Sequence, residues 1–320
     1  MSAAQIKVTL IAGGVGGAKM AEGFAALEQV DLTVIGNIAD DEAFYGLWVS
    51  PDIDTLTYSL AGLINRAQGW GVADEGLRAL DVLKTLGQDT WMTLGDRDLG
   101  LHIYRTMRRA AGDRPSMIAR DISARFGVTA QIVLPSDDIV QTRVKTDAGW
   151  ISFQEYFVRE RCRPEVQALR FEGIENARPT QEALAAISGA DMLVIAPSNP
   201  LVSIAPILNI TGIRDALRAA AAPVLGVSPL IGGKVVKGPA DRMMKALGLR
   251  CDAVGVASLY ADLLDLILID TVDAGLSDEI LALDVGVGST DIMMRNLADK
   301  ARLAGEILAQ GIAMKKARAA

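Results

Sequence analysis

Apolar stretches that close on glycine-bearing turns, and alternate with helical segments, occupy both ends of this 320-residue chain. Ile6–Ala12 (IKVTLIA) predicts a first strand, a glycine cluster follows, Lys19–Leu27 reads as a helix, and Leu32–Ile35 (LTVI) predicts a second strand. The alternation returns at Met192–Ala196 (MLVIA), Pro223–Val227 (PVLGV), Ala253–Val256 and Leu266–Ile269, with helices such as Gly212–Ala221 and Ala240–Leu247 between them. Strands that are apolar on both faces and spaced by helices imply a mostly parallel sheet covered on each side. The predicted class is therefore α/β, a Rossmann-like sheet with helices on both faces.

The middle of the chain follows another pattern. Gln68–Gly87 and Gly100–Phe126 are largely helical, and Ala130–Leu134, Gln141–Lys145 and Trp150–Phe153 are short β-like runs separated by Asp/Gly turns. Residues 65–165 thus read as an inserted helical-plus-β lobe, with residues 1–64 and 166–320 forming the nucleotide-binding core. The Ala-rich tail from Ala313 is expected to fray.

Composition narrows the chemistry. Half of the residues are hydrophobic, ample for a buried core. No apolar run reaches the ~18–20 residues of a membrane span, since Leu263–Ile269 is bounded by Asp262 and Asp270 and broken by Asp265. Met1–Gln5 is short and polar, with no secretory pattern, so a cytoplasmic location is expected. Cys162 and Cys251 form no CxxC motif and read as structural thiols. A net charge of −7 argues against a nucleic-acid partner, while the five arginines of Arg105–Arg120 leave room for a locally basic pocket suited to an anionic small molecule. The single histidine, His102, is expected to pack or cap, which removes histidine-based zinc and triad chemistry. Carboxylates, backbone amides, Lys/Arg and a hard metal remain.

Five loops follow predicted strands or open predicted helices. Gly13-Gly14-Val15-Gly16-Gly17-Ala18-Lys19 offers close backbone approach and helix N-terminal amides to an anion, or else is simply a tight β–α turn. It lacks the third glycine of a dinucleotide fingerprint, where Lys19 stands, and the Gly-Lys-Ser/Thr of a Walker loop. Asn37–Thr55 carries Asp40, Asp41, Asp52 and Asp54, an oxygen-rich set suited to Mg²⁺. If that stretch is extended, Asp52 and Asp54 point the same way; Ser50-Pro51-Asp52 also fits the cap of a helix over Thr55–Asn65. Ala196–Pro200 with Ser198 and Asn199, and Ser228–Ala240 with Gly232, Gly233, Lys234 and Lys237, add donors and positive charge for phosphates. Leu94–Asp98 is a charged turn in which Asp98 suits a helix cap.

Taken together and in order, GGVGGAK (Gly13–Lys19), ADDEAFYGLWVSPDIDT (Ala39–Thr55), LGDRD (Leu94–Asp98), PSDD (Pro135–Asp138), QEYFVRERCRP (Gln154–Pro164), APSNPLVSIAPIL (Ala196–Leu208) and SPLIGGKVVKGPADRMMKALG (Ser228–Gly248) resemble the 2-phospho-L-lactate transferases of coenzyme F420 biosynthesis and their phosphoenolpyruvate-using relatives. The resemblance spans nearly the whole chain. It implies a Mg²⁺-dependent transfer of a phospho-three-carbon acid from a guanosine-diphosphate-linked donor to the ribityl hydroxyl of the deazaflavin Fo (7,8-didemethyl-8-hydroxy-5-deazariboflavin), with GMP leaving, by a homodimer. It implies that Asp54 contacts Fo near the metal, with Asp40 and Asp41 as further metal candidates and Asp41 and Asp52 as further catalytic ones. Gly13, Gly14, Gly16, Gly17, Lys19, Ser198, Asn199, Gly232, Gly233, Lys234 and Lys237 are the corresponding nucleotide and diphosphate contacts. The position two before Gly95 is usually basic in the family and binds Fo; here it is Thr93, with Arg97 as the candidate substitute. Two other readings compete: a non-enzymatic nucleotide-sugar-binding regulator of the same fold, and a plain nucleotide-binding or NAD-dependent domain. SPDIDT and LGDRD favour the transferase.

Overall fold

A computed structural model describes residues 5–319. Its centre is a sheet of seven parallel strands: β1 (Ile6–Ala12), β2 (Val30–Gly36), β3 (Gln131–Val133), β4 (Met192–Ile195), β5 (Val224–Val227), β6 (Leu266–Asp270) and β7 (Gly286–Thr290). They lie in the order β7-β6-β5-β4-β1-β2-β3, so the direction of winding reverses between β1 and β4. Ligands of open α/β sheets bind at such a switch point, beyond the carboxyl ends of the strands.

Strand periodicity builds both cores. Ile11, Leu193, Ile195, Ile267 and Ile269 join the core on one face, and Val8, Leu10, Met192, Val194, Leu266 and Leu268 the core on the other. Alternate side chains of a strand leave opposite faces, so continuous apolar runs bury on both sides. The second face is closed by α1 (Gly14–Ala25) and the C-terminal helix Leu297–Ala319, through Met20, Phe24, Leu303 and Ile307.

Several expectations change. Ala253–Val256 is no strand: it opens the helix Ala253–Tyr260, capped by Asp252, whose Oδ1 accepts from the Gly255 amide at 2.9 Å. An eight-residue element buried on nearly every side has no polar stripe to reveal helical periodicity. The place next to β6 is taken instead by the glycine-bearing β7, whose pairing with β6 outweighs its weak strand propensity. Helix α1 starts at Gly14 rather than Lys19. In the middle region, Gln131–Val133 pairs in parallel with β2 and belongs to the central sheet. The chain then leaves it for a three-stranded antiparallel sheet of Gln141–Thr146, Gly149–Ser152 and Ala168–Glu172. Among the described residues, no helix is long and apolar enough to cross a membrane.

Candidate active site

The loops after β1, β2 and β4 meet around one buried amide. Asn37 follows β2 and is fully buried; its Nδ2 donates to Asp52 Oδ2 at 2.9 Å and to the Val202 carbonyl at 3.3 Å, and its Oδ1 accepts from the Ala39 amide at 3.0 Å. Ser198 Oγ donates to the Gly13 carbonyl at 2.7 Å. The glycines make this convergence possible. A Cβ on Gly13 would lie 2.7 Å from Asp52 Oδ2 and 2.9 Å from the Asn37 and Ser203 side chains, and one on Gly16 would collide with the Pro197 carbonyl. Gly13, Gly16 and Gly17 therefore pack the first turn of α1 directly against neighbouring loops.

Asp52 and Asp54 lie in the first turn of α2 (Pro51–Leu60), which begins at Pro51 rather than at Thr55. Two residues apart on a helix they diverge by about 200° and do not point the same way. Asp52 turns to Asn37 and α1. Burial pushes its carboxyl up to about 6, and the Asn37 amide and the Gly14 N–H offset part of that shift.

Asp54 turns the other way, into a chain of buried polar groups. Arg105, on α3 (Asp96–Ala110), forks onto both its oxygens, with Nη1–Oδ2 at 3.1 Å and Nη2 on Oδ1. Arg105 Nη1 also lies 3.2 Å from His102 Nδ1. A guanidinium can only donate, so Nδ1 accepts and the imidazole directs its Nε2–H towards Asp98 Oδ1, 3.4 Å away. Tyr58 donates to that same oxygen at 2.5 Å. Burial alone would raise Asp98, but His102, Tyr58 and Arg105 outweigh it and hold the carboxyl below its ordinary value. His102 is thus part of the site's buried frame, and Asp98 is not a cap.

Asp40 and Asp41 stand in the loop after β2, ahead of the hairpin Glu42–Phe44/Leu47–Val49. Asp41 Oδ2 accepts from Ser50 Oγ at 2.6 Å and Trp48 Nε1 at 3.2 Å, so Ser50 serves Asp41 and makes no side-chain cap. Burial pushes the Asp41 carboxyl up to about 7. Asp40 rises well above its ordinary value, first through burial and then through the charges of Asp52 and Asp41. The Oδ1 atoms of both residues are buried without a hydrogen-bond partner. Unpartnered buried carboxylate oxygens are costly and fit a cation. Among the described residues no three acidic, histidine or cysteine side chains form a ready metal cage, so an ion held by Asp40 and Asp41 would complete its shell from substrate oxygens and water.

The remaining candidates are dispersed. Asn199 Oδ1 caps the turn after β4 by accepting from the Leu201 amide at 3.0 Å. The Lys19 ammonium donates to the Met294 carbonyl at 3.1 Å, and burial, then the charge of Lys300, lower its pKa. Lys237 sits 4.0 Å over the Trp70 ring and bonds the Gln68 carbonyl; burial and then the charge of Lys19 lower its pKa. The Gly232 amide donates to both oxygens of Asp273, and Gly233 and Lys234 continue that outer loop. Thr93 is exposed, and Arg97 Nη1 bonds the Ala73 carbonyl at 3.1 Å. Asn37, Tyr58 and Arg105 escaped the sequence reading. One signal was present: Asp98, His102 and Arg105 recur at i, i+4 and i+7, a polar stripe on a single helix face.

Comparison with known proteins identifies the family. Residues 8–290 match the family described as 2-phospho-L-lactate transferase CofD. A phosphoenolpyruvate transferase of Streptomyces griseus is 40% identical over 310 residues, covering 95% of this chain and 98% of its own. A 2-phospho-L-lactate transferase of Methanopyrus kandleri is 38% identical over 307 residues, covering 95% and 97%. A crystal structure of a Bacillus halodurans protein, described as a member of the upf0052 family, superposes with a TM-score of 0.61 at 18% identity, covering 96% of this chain and all of that one. That likeness concerns the fold.

Proposed function

The chain belongs to the 2-phospho-L-lactate transferase CofD family, and from that membership we propose one reaction for the site described above. The protein is a transferase of coenzyme F420 biosynthesis; in this reading it moves a phospho-three-carbon acid from a guanosine-diphosphate-linked donor to Fo. The terminal ribityl oxygen of Fo attacks the phosphorus nearer the acid, the bond from that phosphorus to the bridging oxygen breaks, and GMP leaves with that oxygen. The hydroxyl proton is taken by a carboxylate of the cluster, for which Asp54 is the candidate that the resemblance sets against Fo.

The observation that carries the reading is the pair of buried, unpartnered Oδ1 atoms on Asp40 and Asp41 at the carboxyl edge of the sheet. Asp40 and Asp41 would hold Mg²⁺, which when bound supplies charge neutralisation to the diphosphate oxygens. The chain's own contribution is position. Arg105 holds Asp54 in one orientation, and Asn37 binds the loops after β2 and β4 to Asp52. Transfer of this kind depends mostly on alignment and on balancing charge.

The test is direct. Protein supplied with Mg²⁺, Fo and, in turn, the lactate, enolpyruvate and glycerate donors should release GMP and form an F420-0-type product with one of them. Silence with all three would remove the transferase reading in favour of a nucleotide-ligand-binding role. A homodimer in the cytoplasm accompanies the proposal, and light scattering after size exclusion checks the dimer.

A further inference from the structure

The arginines of α3 are accounted for except one. Arg97 bonds the Ala73 carbonyl, Arg105 pairs with Asp54, and Arg108 pairs with Asp113 and Asp121. Arg109 has no hydrogen-bond or ion-pair partner among the described residues, although it is half-buried. Its guanidinium lies 4.2 Å over the Trp48 ring, and Trp48 is itself anchored by the bond from Nε1 to Asp41. Burial lowers the Arg109 pKa, with Asp41 pulling the other way. A half-buried guanidinium with no ion pair is open to a charge-assisted bond from an anion.

The acidic neighbours are already engaged. Asp137 accepts from Arg114 Nε at 2.8 Å and the Ser116 amide at 2.7 Å, and Asp138 from the Arg178 amide at 2.8 Å. Arg109 instead lines a cleft that it shares with Asp41, Asp137, Asp138, Ile38, Leu134 and Val140. One wall is apolar, Arg109 supplies a cation, and the Asp137 and Asp138 carboxylates that complete the lining are turned to the partners just named. The indole of Trp48 links that cation to Asp41, its edge on the carboxylate and its face beneath the guanidinium.

We propose that Arg109 binds the carboxylate of the three-carbon acid carried by the donor, and so acts as a specificity-determining residue of this transferase. The proposal rests on the reaction proposed above. In the lactate and enolpyruvate donors the carboxyl carbon lies three bonds from the attacked phosphorus, so phosphate beside Asp41 brings the carboxylate into the adjacent cleft. A planar guanidinium fork held over an indole suits a carboxylate. The apolar wall of Ile38, Leu134 and Val140 faces the methyl or methylene of the same acid.

The test compares the donor with a guanosine-diphosphate ester that lacks the carboxylate, binding each by calorimetry to wild type, Arg109→Gln and Arg109→Lys. Wild type should prefer the carboxylate donor by on the order of 10- to 100-fold, as expected for a charge-assisted bond. Arg109→Gln should bind both ligands alike, and the KM for Fo should stay within about twofold. Arg109→Lys keeps the charge without the fork and should fall between; thermal melting verifies that each variant is folded. Equal binding of both ligands by wild type would overturn the proposal without any variant. A raised KM for Fo with unchanged donor affinity would overturn it as well, placing Arg109 against the deazaflavin. Failure of turnover with every donor would undo the reaction reading, whereas these binding comparisons would still judge Arg109.

Discussion

The carboxylate of Asp54 is forked by one guanidinium, that of Arg105, and both side chains are buried. Asp54 reaches this partner because α2 starts at Pro51, and Arg105 because it shares a helix face with His102 and Asp98. The pair turns the acidic residue that the resemblance sets against Fo into a rigid element.

Replacing Asp54 therefore has two separable consequences. Asp54→Asn should lower kcat by orders of magnitude and also destabilise the fold by about 3–5 kcal/mol, because it strands the Arg105 charge in the interior. Urea denaturation should show that Asp54→Asn combined with Arg105→Met recovers much of the stability and none of the activity. A single variant as stable as wild type would mean that the fork contributes little.

His102 should matter through its acceptor. An asparagine can place an oxygen close to where Nδ1 stands, so His102→Asn should retain more kcat than His102→Leu at similar KM values. Since the chain has one histidine, ¹⁵N spectra of the wild type report its tautomer without assignment. They should show Nδ1 bare and Nε2 protonated. The opposite tautomer would contradict the orientation deduced from Arg105.

Asp41 couples stability to pH in an unusual direction. Its carboxyl ionises near 3.8 in the unfolded chain but only near about 7 when folded, so the folded form holds the proton longer. Stability on this account is greatest in acid and declines as pH rises from about 4 to about 7, where the buried charge must form. A cation bound at Asp40 and Asp41 would offset that cost. Mg²⁺ should accordingly raise Tm more at about pH 8 than at about pH 6, and Asp41→Asn should raise the metal-free Tm at about pH 8 while abolishing the Mg²⁺ effect. A Mg²⁺ effect independent of pH would point to a site elsewhere.

Two glycine substitutions should move in opposite directions. Gly16→Ala drives a methyl into the Pro197 carbonyl and should cost at least about 1–3 kcal/mol, whereas Gly100, in α3 with open space around it, should gain about 0.5–1 kcal/mol as alanine. Melting temperatures of the two variants decide this.

The turn Leu94–Asp98 carries a reciprocal cap. Glu75 accepts from the Arg97 and Asp98 amides, both at 2.9 Å, while Asp96 accepts from the Ala79 amide at 3.0 Å and the Arg78 amide at 3.3 Å, at the start of the helix Arg78–Thr85. Glu75→Ala and Asp96→Ala should each cost about 0.5–2 kcal/mol. The double variant should cost less than the sum, because the two caps fix one junction.

Much of this protein is decided locally. Apolar runs at β1, β2, β4, β5 and β6, spaced by helices and closed by glycine turns, suit strands covered on both faces, so the sheet and its parallel sense are legible in the order of residues. Four aspartates within fifteen positions, with histidine almost absent, likewise announce an oxygen-based site. Tertiary structure decided the rest. Ala253–Val256 became helix because Asp252 caps it and the sheet gave its place to Gly286–Thr290. Asp52 and Asp54 parted because a helix, not a strand, carries them. Arg105, Asn37 and Arg109 acquired their meaning from partners 51, 15 and 61 positions away in Asp54, Asp52 and Trp48. Hydrophobic period is a property of neighbours in sequence, whereas the burial and pairing of charge depend on which distant segments the fold brings into contact.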